Sequence, residues 1–225
     1  MVITRSLRYI KAWIYVSTFE MLSNTQLNSI RLSVFVLALL PFIRLLYAGY
    51  ANLLGANPLE FLTRNTGDWA LYFLVLTLSI TPLRQLTKLS WLIRLRRMLG
   101  LYSFFYASLH LVCFIWFDHF FEVQEIIADI LKRPFVLMGA LTWFSMLPLA
   151  LTSHNKIIRV LGGKRWQLLH RLVYFSAIAA VLHYFWMKAG KHDFSQPALF
   201  GTLVAGLLLY RVVKRWHESR RQPGF

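Results

Sequence analysis

Three of the seven histidines stand where an ionisable side chain is costly. His110 lies within GLYSFFYASLHLVCFIWF, His183 lies within LVYFSAIAAVLHYFW, and His170 opens that second run in WQLLHRLVYF. A titratable group deep in a long apolar stretch carries a large desolvation cost in lipid and is a functional site by default. One such histidine is explained equally well by a hydrogen bond to a neighbouring helix. Two of them, on different helices and among Phe, Tyr and Trp, point instead to a pair of metal ligands, because a neutral imidazole offers one nitrogen lone pair to a metal. Facing imidazoles in apolar, aromatic surroundings suit axial ligation of a flat macrocycle such as haem. The other histidines read as solvated or interfacial: His119 and His192 in loops, His217 in a basic tail, and His154 at the end of an apolar run.

The spacing sets depth. His110 follows Arg97 by 13 residues and His183 follows His170 by 13, and at 1.5 Å per residue each step is about 20 Å. In two parallel helices His110 and His183 then share one level in the outer half of a bilayer, with His170 near the inner surface. On an unbroken helix 13 residues leave His170 and His183 about 140° apart, so rotation or bending must help. The inner level lacks a second histidine. Arg96, 14 residues before His110 and only about 40° from it around the helix, takes the corresponding place; a guanidinium stays protonated and does not ligate iron. It reads as a cytoplasmic anchor or a partner for haem propionates.

Cysteine chemistry is excluded. With Cys113 alone there is no disulfide framework, multi-thiolate zinc site or Cys-ligated iron–sulfur cluster, and no CxxCH sequence attaches a c-type haem.

The elements that must carry these residues follow from composition. Of 225 residues 57% are hydrophobic and only 15% charged, with mean hydropathy +0.52. Soluble domains are about a quarter charged, so the apolar excess must face lipid. Runs near residues 32–51, 69–86, 98–117, 135–152, 168–187 and 197–213 are each about the length needed to cross 30 Å of hydrocarbon as helix. They lack the alternation of a barrel. The expected fold is an all-α integral membrane bundle of six transmembrane helices.

Orientation follows from the short loops. Nineteen of the 25 Lys and Arg residues fall on one side, within 5–31, 84–97, 156–171 and 211–221; five fall on the other, namely Arg64, Lys132, Arg133, Lys188 and Lys191; Arg44 lies inside the first run. Seven of the acidic residues, Glu60, Asp68, Asp118, Glu122, Glu125, Asp129 and Asp193, lean toward the poorer side. Both termini are therefore expected to be cytoplasmic. Topology and anionic lipid account for the formal charge of +16 without nucleic acid. No cleaved signal peptide is read at the N-terminus: the opening stretch, MVITRSLRYIKAWIYVSTFEML, has no clean apolar core or small-residue cleavage site, and Glu20 interrupts it. The chain divides into a basic extension at 1–30, a transmembrane domain at 31–215 and a basic cytoplasmic tail at 216–225. Arg44, in LLPFIRLLYAGY, reads either as snorkelling to the outer surface or as touching a haem propionate.

The strings NPLEFLTRNTGDWAL, LSITPLR, RLRRMLGLYSFFYASLHL, KRPFVLMGALTWFSMLPLALTS and KRWQLLHRLVYFSAIAAVLHYFW resemble the MsrQ (YedZ) family over about residues 30–215. That family comprises haem-binding membrane subunits of a periplasmic methionine sulfoxide reductase system, related to ferric reductase and NADPH oxidase membrane domains with paired histidines on the third and fifth helices. The resemblance implies that His110 and His183 bind one b haem and that His170 belongs to a second pair, with Arg96 where its partner would stand. It implies an electron-transfer subunit of the bacterial inner membrane rather than a catalytic one. The donor would be the quinone pool or a cytoplasmic flavin reductase, an FMN would be present, and the acceptor would be a periplasmic molybdenum-containing reductase subunit. The oxidases carry FAD and NADPH domains after the membrane region; no GxGxxG follows here, so electrons are expected from a separate donor. The rival reading is a stand-alone transmembrane ferric or quinone reductase.

Overall fold

Local signals start and stop the helices. A computed structural model describes residues 23–190 and 192–221, so most of the basic extension and the end of the tail lie outside the described residues. The chain divides into two compact units, 1–37 and 38–225. In the first, Ser23 and Gln26 exchange hydrogen bonds, Gln26 Oε1 accepting from Ser23 N–H at 2.8 Å and Ser23 Oγ from Gln26 N–H at 3.2 Å. This reciprocal pair is a capping box that starts helix α1, Asn24–Tyr50.

Asn57 caps α2, Pro58–Thr87, with Pro58 in its first turn, where a missing N–H costs nothing. After a 3₁₀ turn at Ser90–Arg94 comes α3, Arg96–Cys113, which ends in a π-helical turn, Phe114–Asp118. The amphipathic α4, Val123–Lys132, leads to α5, Pro134–Leu151. Short helices α6, Asn155–Leu161, and α7, Gly163–Leu169, precede α8, Leu172–Ala189, and α9, Ser195–Arg221.

Among the described residues six stretches are long and apolar enough to cross a membrane: Asn24–Tyr50, Pro58–Thr87, Ser90–Asp118, Pro134–Leu151, Gly163–Ala189 and Ser195–Arg220. No strand occurs among the described residues. The six spans match the six expected runs, and the chain is a multi-pass helical membrane protein. The second span starts at Pro58 rather than near position 69, because its charged first turns are helical and self-paired through Arg64 and Glu60. The sixth continues through the basic residues after 213, which hydropathy alone discounts. The stretch between the fourth and fifth expected runs is mostly the two short helices α6 and α7.

The packing consists of two principal hairpins: α2 lies along α3 and α5 along α8, while α3 also touches α5 and α9 touches both α8 and α2. Small polar residues let the helices approach, as is usual in lipid. Ser103 donates to the Ala70 carbonyl at 2.8 Å, and Ser145 and Ser176 bond at 2.7 Å. Trp143 Nε1 donates to Ser108 Oγ at 3.0 Å, linking α5 to α3. Leu74, Leu78, Ala177 and Val204 form a buried cluster joining α2, α8 and α9. In the α8–α9 turn the Ser195 hydroxyl, then the Lys188 ammonium, hold the exposed Asp193 carboxyl below its ordinary range.

Tyr106, fully buried on α3, enters the backbone of α1. Its hydroxyl donates to the Ala38 carbonyl at 2.8 Å and accepts from Phe42 N–H at 3.1 Å, the two groups an uninterrupted helix would pair with each other. Pro41 beside them already removes one backbone donor. Tyr106→Phe should lower stability by about 1 kcal/mol, near the low end for a lost buried hydrogen bond, because the freed groups can rebond across one turn. A denaturation midpoint in detergent checks this; no shift would mean the hydroxyl adds nothing to the packing of α1.

A pair of facing histidines as the candidate site

Imidazole ligates through whichever nitrogen lacks a proton, so the partner of the other nitrogen decides what the ring can do. His110, on α3, has Nδ1 2.8 Å from the Thr63 carbonyl oxygen of α2. His183, on α8, has Nδ1 2.6 Å from the Phe135 carbonyl oxygen of α5. A carbonyl only accepts, so both Nδ1 atoms carry the proton and both Nε2 atoms present lone pairs. The ring centres are 5.9 Å apart and the planes cross at 79°.

The expected common level of His110 and His183 is therefore met by two rings near enough to share a ligand. With metal–nitrogen bonds of about 2 Å and an imidazole radius of about 1 Å, two imidazoles on opposite sides of one metal have centres about 6 Å apart. The observed separation fits. Among the described residues no three His, Cys, Asp or Glu side chains gather as a metal site, so these two imidazoles would supply only part of a metal's ligands. Two Nε2 lone pairs at this spacing would suit axial ligation of a haem iron.

His170 occupies another setting. It ends α7 at a tight turn, His170–Arg171, whose hydrogen bonds close over three residues before α8 begins. Its Nδ1 donates to the Trp166 carbonyl at 3.0 Å and its ring lies 3.8 Å from the Trp166 ring. Its Nε2 is buried and makes no hydrogen bond of ordinary length among the described residues, although the Leu149 backbone lies near enough to act on the ring. Arg96, the first residue of α3, lies near enough to act on His170 electrostatically, and Arg211 near enough to act on Arg96. Arg211 donates to the carbonyls of Leu207, at 2.7 Å, and Leu78, and stands 5.5 Å over the Tyr174 ring.

Two of the remaining histidines hold local structure. His119 Nε2 lies 3.3 Å from Asp129 Oδ2 and its ring 4.6 Å from Phe114; Arg133 Nε reaches the same carboxylate at 2.8 Å. Together they tie the turn after α3 to α4. His154 caps α6. Arg44 is exposed on α1, while Ala38, Pro41, Leu45 and Ala48 line its buried side.

Sequence reasoning missed the backbone acceptors Thr63 and Phe135, the inserted Tyr106 hydroxyl and the cation Arg211. A weak signal existed for the first two, since a glycine inside each acceptor helix, Gly67 and Gly139, is disfavoured without a packing reason.

Known proteins resemble this chain over most of its length. Residues 66–181 match the ferric reductase-like transmembrane component family. A protein of Herminiimonas arsenicoxydans, named protein-methionine-sulfoxide reductase heme-binding subunit MsrQ, is 59% identical over 199 residues, covering 88% of this chain and 91% of its own. Proteins with the same name from Ralstonia nicotianae and Rhodospirillum rubrum are 48% and 44% identical over 202 and 195 residues, covering 90% and 86% of this chain and 93% of each relative.

Proposed function

The chain belongs to the MsrQ family of haem-binding subunits of methionine sulfoxide reductase systems, and on that footing we propose that it carries electrons across a bacterial inner membrane through a b haem held by His110 and His183. The observation that carries this reading is the pair of imidazoles 5.9 Å apart, each with Nδ1 committed to a carbonyl and Nε2 free. Haem supplies a one-electron carrier whose potential the axial ligands and surroundings set.

The protein's own part is positioning. The Thr63 and Phe135 carbonyls fix the tautomer of each histidine and make it a stronger donor. Two hydrogen-bonded hairpins hold the rings at one level, and the Phe135 ring lies 6.2 Å from that of His183. At the inner level His170 offers one further imidazole. The neighbouring guanidiniums of Arg96 and Arg211 suit carboxylates such as propionates, which supports a second haem or a donor site there. Electrons enter on the cytoplasmic side from quinol or a flavin reductase, with FMN as a further carrier implied by the family. They leave to a periplasmic molybdenum-containing reductase that performs the substrate chemistry. The chain is an electron-transfer subunit with no catalytic residue of its own.

A reduced-minus-oxidised visible spectrum of the purified protein should show a b-type α-band, and adding the periplasmic reductase with its sulfoxide substrate should reoxidise the reduced haem. Absence of any chromophore would overturn the reading. Reoxidation by ferric chelates but not by the reductase would turn it into the stand-alone ferric reductase.

A further inference from the structure

Glycine is a poor helix former, yet one sits on the face of α2 beneath His110 and another on the face of α5 beneath His183. A methyl group built on Gly67 would stand 3.1 Å from both Nδ1 and Cε1 of His110; one built on Gly139 would stand 3.0 Å from Nδ1 and 3.1 Å from Cε1 of His183. In both cases the crowded edge of the ring is the one that carries the donor N–H. The acceptors, Thr63 and Phe135, each lie one helical turn before the glycine. A helical side chain covers the turn on the N-terminal side of its own Cα, so any side chain at 67 or 139 would lie over the carbonyl its histidine reaches. The second lone pair of each carbonyl remains for the imidazole after the helix has used the first. Other helical glycines lack this relation: a methyl on Gly100 meets only Thr77 at an ordinary 3.6 Å, and one on Gly206 meets nothing within 4 Å.

We propose that Gly67 and Gly139 are positioning residues that lock the two axial imidazoles with their planes crossed, by opening the Thr63 and Phe135 carbonyls to the Nδ1 donors. The inference rests on the ligand reading above. The torsion that turns an imidazole plane is otherwise broad; the hydrogen bond to a fixed carbonyl narrows it, and the two carbonyls set planes 79° apart. Crossed ligand planes act on different iron d orbitals and leave them nearly equal in energy, which gives a strongly anisotropic low-spin ferric signal in electron paramagnetic resonance. Parallel planes give a rhombic one. The hydrogen bonds also make each imidazole more basic, which favours the ferric state and lowers the midpoint potential.

The test uses the full-length, haem-loaded protein and follows the ferric signal that disappears in His110→Ala. In the wild type that signal should be of the strongly anisotropic kind. Gly67→Ala and Gly139→Ala should each move it toward the rhombic form, raise the midpoint potential, and weaken haem retention on the scale of about 10–100-fold seen when second-shell partners of metal ligands are lost. Gly100→Ala should leave all three unchanged. A glycine variant that loses its haem while melting like the wild type supports the proposal if Gly100→Ala keeps haem, and counts against it if Gly100→Ala loses haem equally. Wild-type signal and potential in both Gly67→Ala and Gly139→Ala would overturn the proposal, as would a rhombic signal in the wild type, which is read whether or not the variants fold. Retention of wild-type haem content by His110→Ala is a different failure: it sinks the ligand assignment itself.

Discussion

His110→Ala and His183→Ala are each expected to strip the protein of the haem proposed to lie between α3 and α8. Each ring would supply one of two axial bonds, and no other metal-binding cluster exists among the described residues to replace it. The loss should exceed the about 10–100-fold that second-shell changes cost, because a direct bond disappears and the Thr63 or Phe135 carbonyl also loses its imidazole donor. Haem per protein, measured as the pyridine haemochrome, checks this. Wild-type content in both variants would mean that the pair does not ligate. His170→Ala provides the contrast. Its ring stands at the end of α7, about 20 Å of helical rise from the His183 level, so the outer signal should survive while any inner haem or donor reaction is lost. Disappearance of all haem from a folded His170→Ala protein would refute the separation into two levels.

An all-or-none pattern is expected from topology reporters. A reporter active only outside the membrane should work when fused after residue 125 or 191 and be silent after residue 90, 160 or 225. Lys and Arg concentrate in the segments expected inside, and α9 runs as continuous helix through Arg211, Lys214, Arg215, Arg220 and Arg221. The reverse pattern would turn the His110–His183 level toward the cytoplasm and reverse the proposed direction of electron flow.

The number of spans and the pairing of His110 with His183 were legible because both rest on counting: apolar length against bilayer thickness, and equal sequence steps against helical rise. The extents of α2 and α9 were less legible, since hydropathy discounts charged turns that helix geometry tolerates once Glu60 and Arg64 pair. The tight turn at His170–Arg171 was not legible, since the spacing asked only for rotation or bending. Backbone acceptors were invisible, because a carbonyl has the same chemistry at every position and only tertiary packing brings Nδ1 of His110 to Thr63. The same holds for the Tyr106 hydroxyl: Tyr106 reads as one more aromatic in an apolar run until α1 lies beside it.

The closure of each histidine within its own hairpin, His110 on α2 and His183 on α5, has a consequence for the order of biogenesis. The first half-site is complete once α2 and α3 are in the membrane. Its partner does not exist until the ribosome has made the chain from His110 through to His183. At about 5–20 residues per second that interval lasts roughly 4–15 s. During it one preset imidazole waits without an opposing ligand, and tight capture of the prosthetic group is deferred until the fifth span docks.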